Sequence, residues 1–148
     1  PVTAGAVKAA VAAESGVILL KVPGTVVRGI AELLVADSLT CCEVAGMEIR
    51  YAARARPLQR VRELTLAAGG RLDEQRVYSL ALSGQLLLAD STLGTTSCAG
   101  PRCPRPIPLA AYSPQQTERS PVELVAEYLR RHRQPVTPPD AARIIPVP

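Results

Sequence analysis

Large aromatic side chains are almost absent from this sequence. Its 148 residues include no Phe, no Trp and only four Tyr. Because aromatic rings are the usual platforms on which proteins stack bases and sugars, their scarcity argues against a nucleotide-holding surface. Apolar residues still make up 47% of the chain. We therefore expect one domain, residues 1–148, with a core built from Val, Leu, Ile and Ala.

Residues that commonly carry out catalysis are also few. The single histidine, His132, cannot supply the several imidazole ligands that transition-metal centres often use. It follows arginines near the end of a predicted helix, where we expect it to interact favourably with the helix dipole. No serine stands in the Gly-x-Ser-x-Gly context of an activated nucleophile. The sequence predicts no catalytic residue, no metal ligand and no cofactor in this chain.

Positive charge exceeds negative charge only slightly. The formal net charge is +4, from 17 Lys and Arg against 13 Asp and Glu. A nucleic-acid binder would cluster this charge on one element with aromatic residues between, so we predict no nucleic-acid partner. One local group of arginines is interpreted as a solvated strand face, with an anion-binding or partner-docking face as the alternative: Arg54, Arg56, Arg60 and Arg62.

Long apolar runs and a secretory leader are both absent from the sequence. No stretch approaches the roughly 18 apolar residues that a membrane-spanning helix needs. The first residues, Pro1-Val2-Thr3, have neither a basic region nor an apolar stretch after it. We expect no transmembrane segment, and a chain that is either a processed product or a piece of a longer protein.

The four cysteines fall into an adjacent pair, Cys41 and Cys42, and a spaced pair, Cys98 and Cys103. Adjacent cysteines are poorly spaced to bind one zinc ion, because paired cysteine ligands of structural zinc sites are usually separated by two to four residues. Gly and Pro between Cys98 and Cys103 favour a turn that brings the two thiols together. From the residues alone a disulfide, free thiols and a metal site all remain open.

Alternating strand and helix signals predict an α+β fold. A β-branched run bounded by Gly16 and Pro23 predicts a strand at 17–22. Thr25 is a suitable cap for a helix at 25–38, whose apolar residues fall on one face. Further elements are predicted as a short helix at 3–13 and strands at 43–51, 61–67 and 77–88.

The composition changes in the last third of the chain. Residues from about 94 to 121 are rich in Thr, Ser, Pro and Gly, which predicts an extended loop. Ser120, Pro121 and Glu123 then provide a cap, a first-turn proline and the acidic partner of a capping box. They predict a C-terminal helix at about 121–132.

Four stretches in this order carry a family pattern: Val2 to Gly24, Gly46-Met47-Glu48-Ile49-Arg50-Tyr51, Arg60 through Gly70-Arg71-Leu72-Asp73 to Tyr78, and Pro121 to Ile144. Together they resemble the C-terminal domain of the 5'-nucleotidases, the family that includes periplasmic UDP-sugar hydrolase. The resemblance covers nearly all of the chain. It implies an α+β fold with a mixed sheet and packed helices.

The resemblance also implies where a substrate site would lie. In that family the C-terminal domain grips the base and sugar, with a Phe and an Asn at positions that fall on Ala13 and Ser15. A second stacking Phe falls on Gln85. Asp90 falls one residue out of place in a sugar-contacting loop, and it is interpreted as the end of a strand in a turn, with a remnant sugar contact as the alternative. With both rings missing, each worth roughly 1–3 kcal/mol, we expect an inactive, degenerate substrate site.

The resemblance implies two alternative functions. The first is a non-catalytic structural or protein-interaction module whose partner is another protein chain. The second is the substrate-specificity domain of a two-domain, metal-dependent nucleotide phosphohydrolase, whose di-metal centre belongs to a metallophosphoesterase domain outside this chain. The family also implies a periplasmic or extracellular location. Thiols oxidise there, so we expect a Cys98–Cys103 disulfide.

Overall fold

The structure is a computed structural model that describes residues 5–7, 16–36, 44–56, 58–83, 92–93, 107–132 and 142–148. The predicted α+β class is confirmed. Residues 5–7 are helical, and the longer helices are α1 (Gly24–Ala36) and α2 (Pro121–Arg131), with a 3-10 helix at Leu109–Tyr112. The strands are β1 (Val17–Pro23), β2 (Met47–Ala52), β3 (Val61–Leu66), β4 (Val77–Ser83), β5 (Thr92–Leu93), β6 (Ile107–Pro108), β7 (Gln115–Gln116) and β8 (Ile144–Val147).

The first sheet has the order β4-β1-β7, and both of its pairings are antiparallel. Successive strand residues point to opposite faces, so one face of β1 supplies core residues. Ile18, Leu20 and Val22 are buried, whereas Leu19 and Lys21 are exposed. The inner face of this sheet therefore packs on α1 through a core that also contains Val27, Ile30, Leu33 and Leu109.

The second sheet has the order β3-β2-β8, with β2 antiparallel to β3 and parallel to β8. Its core contains Ala31 and Val35 from α1 together with Ile49, Val61 and Leu64. Helix α1 thus contributes to both cores, which explains why apolar residues cover so much of its surface. Next to β8, Arg143 donates a hydrogen bond from Nη1 to the Val44 carbonyl at 2.9 Å.

A β-bulge interrupts the pairing of β2 with β3. Arg50 lies opposite Glu63 and Tyr51 lies opposite Val61, so Arg62 is the extra residue of β3. The bulge lets Val61 and Leu64 both point into the core, although their spacing of three residues breaks strand alternation. Arg62 is left exposed.

Helix α1 begins one residue earlier than the sequence predicts. Its first amides are satisfied by the carbonyls of a following loop: Gly24 N–H donates to Arg76 O at 2.9 Å and Thr25 N–H to Glu74 O at 3.0 Å. Orphan amides at a helix N-terminus need such acceptors. The cap therefore comes from distant backbone, and Thr25 lies within the helix.

The capping box of α2 is confirmed. The Ser120 hydroxyl accepts from Glu123 N–H at 3.2 Å, and the Glu123 carboxylate accepts from Ser120 N–H at 2.9 Å. At the other end, the His132 ring stacks on Tyr128 with centroids 3.9 Å apart. His132 Nδ1 lies 3.0 Å from the Tyr128 carbonyl oxygen, so the ring is engaged with the helix end.

The described part of the Pro-rich region contains secondary structure where the sequence predicts an extended loop. Residues 107–116 include β6, the 3-10 helix and β7, and Leu109 is fully buried. β7 pairs with Ile18 and Leu19 of β1, which is how a polar Gln-Gln segment enters a sheet. Such a pairing depends on a distant strand, and no local pattern predicts it.

Candidate anion-binding cleft

A surface cleft lies between α1, β3 and the loop that joins β3 to β4. Its volume is about 180 Å³. Leu64 and Leu72 contribute the apolar part of the lining, and five charged side chains surround it: Arg28, Arg62, Glu63, Arg71 and Glu74. Three guanidinium groups against two carboxylates leave one positive charge in excess.

Two ion pairs fix most of these charges. Arg28 Nε lies 3.3 Å from Glu74 Oε1, and Arg71 Nε lies 2.9 Å from Glu63 Oε1. The Arg71 side chain is 82% exposed, so this pair contributes at most about 1 kcal/mol to stability. The pairs therefore arrange charge around the cleft more than they stabilise the fold.

Arg62 is the cation of the cleft that has no hydrogen-bond or ion-pair partner among the described residues. Its position follows from the bulge, which turns this residue of β3 toward solvent while its neighbour Val61 is buried. A guanidinium presents planar, paired donors that match a carboxylate or a phosphate. Arg62 is thus the residue best placed to receive an anionic group.

The loop over the cleft is held by several hydrogen bonds. Gly69 and Gly70 both have positive φ angles, of 93° and 84°, which allow the tight turn after β3. Leu72 N–H then donates to Leu64 O at 3.0 Å, and Asp73 N–H to the Tyr78 hydroxyl at 2.9 Å. The loop is therefore held at Leu72 and Asp73, which lie between Arg71 and Glu74 and fix the backbone that carries them.

A buried carboxylate holds the strand just before the bulge. Glu32 is only 6% exposed, and its two oxygens accept from the N–H groups of Arg60, at 3.0 Å, and Val61, at 2.9 Å. Sequence reasoning missed this residue. One sequence feature could have indicated its role. Glu32 is the one charged residue between Gly29 and Ala36, within an otherwise apolar helix segment.

The arginine group expected to share one face is divided by the structure. Arg60 turns inward, where its Nη1 donates to the Val35 carbonyl at 2.7 Å near the end of α1. Arg62 lines the cleft, whereas Arg54 and Arg56 are not part of its lining. The prediction of a common solvated face is therefore wrong for Arg60, because a cationic side chain satisfies carbonyls at a helix C-terminus.

Beside the cleft, Arg50 is exposed and carries a further ion pair, with its Nε 2.7 Å from Glu48 Oε1. The hydrogen bond to Glu48, followed by the charge of that carboxylate, raises the pKa of Arg50 above its usual value. An arginine is charged throughout the ordinary pH range without this shift, and the Glu48 carboxylate offsets the charge of Arg50, so the pair adds no net positive charge beside the cleft.

The residues that the family resemblance assigns to a substrate site lie outside the described residues: Ala13, Ser15, Gln85 and Asp90. The same holds for Cys98 and Cys103, so both the degenerate site and the disulfide stay predictions. Within the described ranges, no group of three or more His, Cys, Asp or Glu side chains is placed to hold a metal ion. No helix in those ranges is long and apolar enough to cross a membrane.

Comparisons with known proteins identify the fold. No protein-family model and no curated protein matches the sequence. The structure is similar to that of a 5'-nucleotidase precursor from Thermus thermophilus, with a TM-score of 0.74 and 14% identity over 99% of this chain. It is also similar to the sulfate thiohydrolase SoxB of Thermus thermophilus in complex with glycerol, with a TM-score of 0.56 and 22% identity over 90% of this chain.

The similarity defines an α+β fold that forms part of larger proteins. The chain corresponds to 28% of the 5'-nucleotidase precursor and to 22% of SoxB. At identities of 14% and 22%, the similarity establishes the fold alone. It does not transfer the activity of either protein to this chain.

Proposed function

We propose that this chain is a non-catalytic domain related to the C-terminal domain of 5'-nucleotidases, and that it acts by docking to another protein chain. The observation that carries the proposal is the extent of the structural match. Nearly the whole chain, 99%, superposes on a portion amounting to 28% of a 5'-nucleotidase precursor. A chain of this size thus corresponds to one module of a longer hydrolase.

The cleft supports the docking part of the proposal. An acidic side chain of a partner could pair with Arg62 while the ion pairs at Arg28 and Arg71 preserve the shape of the surroundings. Charges at the rim of an interface mainly guide encounter and orientation. The same site is small, at about 180 Å³, and opens to solvent between exposed ion pairs, which suits one anionic group better than a whole nucleotide.

A di-metal centre does not fit the residues that the structure describes. Hydrolysis by a two-metal mechanism needs two ions held about 3.5–4 Å apart by several ligands. The sequence has one histidine, which is stacked on Tyr128, and the cleft carboxylates of Glu63 and Glu74 each pair with an arginine. We therefore assign this chain no step of phosphoester hydrolysis.

The first prediction is that the purified chain does not hydrolyse AMP or UDP-glucose when Mn²⁺, Co²⁺ or Zn²⁺ is added. Phosphate release is measured, with an active nucleotidase as positive control and a Glu32→Ala preparation, purified identically, to reveal contaminating activity. Turnover that EDTA abolishes, and that is lost in the folding-impaired variant, would contradict the proposal.

The second candidate is the substrate-specificity domain of a two-domain hydrolase. It is favoured by one observation, namely that both structural neighbours are several times longer than this chain. In that case the metallophosphoesterase domain lies on another part of the polypeptide or on a partner, and this domain contributes nucleotide binding. Binding of nucleosides therefore separates the two candidates.

We expect adenosine to bind no tighter than about millimolar, because Ala13 and Gln85 replace the two stacking rings implied by the resemblance. Calorimetry with adenosine, AMP and ribose 5-phosphate measures the base and phosphate contributions separately. A micromolar constant for both adenosine and AMP would favour the specificity domain. If AMP and ribose 5-phosphate bind equally and adenosine does not bind, the phosphate group alone accounts for the binding. That result would favour the docking module.

A further inference from the structure

β4 is an edge strand with an unpaired side among the described residues. In the sheet order β4-β1-β7 its one neighbour is β1, and no described residue pairs with its other side. The residues of that side, Val77, Ser79 and Ala81, also have no hydrogen bond to the remainder of the described chain. A strand edge in this state is a template for pairing with another strand.

The register shows which backbone groups point outward. Gly24 N–H donates to Arg76 O, directly opposite, and the pairing continues through Val22 with Tyr78 and Leu20 with Leu80. Because hydrogen-bonded pairs alternate along an antiparallel ladder, Tyr78 and Leu80 are the residues that bond β1. The N–H and C=O groups of Val77, Ser79 and Ala81 therefore point away from the sheet.

The side chains of these three residues are exposed as well. Val77 is 60% exposed, and Ser79 and Ala81 are also exposed, whereas Tyr78 and Leu80 pack against the core. On the same outer face, Leu19 of β1 is 44% exposed. The outer face beside this edge thus carries Val77, Ala81 and Leu19 together with the polar Ser79 and the cation Lys21.

The strand lacks the features that normally prevent pairing at an edge. Proteins protect edges with lysine or other charged side chains, proline or bulges. The sequence from Val77 to Leu88 contains no charged residue and no proline, and the pairing of β4 with β1 contains no register shift. An uncharged strand also meets no like-charge repulsion when it pairs with an identical strand.

We propose that β4 pairs antiparallel with β4 of a second copy of this chain, joining two three-stranded sheets across a two-fold axis. The outward-pointing N–H and C=O groups can pair with those of the second copy when Ser79 lies opposite Ser79. In this register Val77 lies opposite Ala81. Each directly opposed pair exchanges two backbone hydrogen bonds. Apolar side chains then meet apolar side chains on both sides of the axis.

The nearest charge does not oppose this arrangement. Lys21 lies opposite Ser79 within the chain, so the two copies of Lys21 are separated by three strand spacings, or about 14 Å. That separation exceeds the Debye length of roughly 8 Å at physiological ionic strength, and the repulsion is largely screened. Since the pairing uses a strand edge rather than a large apolar surface, a dimer that dissociates on dilution is expected.

Substitution of Ser79 tests the proposal. Ser79→Pro removes an N–H that points outward, so it leaves the hydrogen bonds to β1 intact while blocking the pairing. Ser79→Thr keeps the N–H and is the matched control. Sedimentation velocity across a range of concentrations should show a dimer for the original chain and for Ser79→Thr, and a dissociation constant raised on the order of tenfold or more for Ser79→Pro.

A charge-exchange experiment tests whether Ser79 lies opposite Ser79 of the second copy. It can be interpreted even if the Ser79→Pro variant does not fold. Ser79→Lys and Ser79→Glu should each weaken self-association, and an equimolar mixture should form a mixed dimer that high salt weakens. A chain that stays monomeric at all accessible concentrations would overturn the proposal. So would a folded Ser79→Pro variant, checked by circular dichroism, that dimerises as tightly as Ser79→Thr.

Discussion

Replacing Gly24 with alanine is expected to lower the free energy of unfolding by about 1–3 kcal/mol or more. A Cβ at this position would lie 2.2 Å from Asp73 O and 2.8 Å from Glu74 Cα. Those are backbone atoms of the loop that caps α1, so they cannot move without straining the hydrogen bonds that Gly24 and Thr25 donate to it. Urea unfolding should show a lower midpoint with an unchanged slope.

Gly29→Ala is the matched control on the same helix. Its Cβ would meet the end of the Ile107 side chain at 3.1 Å, and a flexible side chain can shift where backbone cannot. Alanine also stabilises a helix interior by about 1 kcal/mol relative to glycine. We expect Gly29→Ala to unfold at the same or a higher urea concentration than the original chain. If Gly24→Ala is equally tolerated, the close packing of the loop on α1 is not required for stability.

Replacing Glu32 with alanine should destabilise the chain by on the order of 3 kcal/mol, because it leaves one buried and one partly buried backbone N–H group without an acceptor. The groups belong to Arg60 and Val61 at the start of β3. Glu32→Gln should cost less, about 1–3 kcal/mol, since the amide keeps one acceptor oxygen but turns a donor toward the second N–H. Urea unfolding of both variants measures these effects.

Glu118→Gln is the control for removing a negative charge. Glu118 is exposed and makes no ion pair or hydrogen bond among the described residues, so its substitution should change stability by less than about 0.5 kcal/mol. A Glu32→Gln variant as stable as Glu118→Gln would show that the carboxylate does not hold β3 as described.

The two substitutions also bear on the cleft, because each acts on backbone that carries charged residues of its lining. Gly24 supports the loop from which Glu74 pairs with Arg28. Glu32 holds the strand immediately before the bulge at Arg62. Damage at either position should therefore disturb the arrangement of the cleft as well as the stability of the fold.

Local patterns in the sequence predicted the helices and strands that depend on interactions between near neighbours in the chain. The β-branched run at β1 predicted the strand, and Ser120, Pro121 and Glu123 predicted the start of α2 through their own hydrogen bonds. The α+β class followed from the order of such elements. The family resemblance added an expected fold, and the structural neighbours support that fold.

Other features depend on residues far apart in the chain, and local patterns could not predict them. The inward turn of Arg60 depends on the exposed carbonyl of Val35, and the entry of β7 into a sheet depends on β1. The cleft joins α1 to β3 and the loop after it. Neither Arg28 nor Glu74 belongs to a motif that would indicate their pairing.

By itself, the sequence determined that this chain forms α1, α2 and the main strands around an aliphatic core, because strand alternation, helix faces and caps involve only near neighbours. The tertiary structure decided which strand edges are left unpaired among the described residues and which charged side chains lie together. The bulge at Arg62 shows the reason: Val61 and Leu64 can both be buried only if one residue of β3 is left out of the pairing. That choice depends on packing against β2 and α1, and it places Arg62 at the cleft.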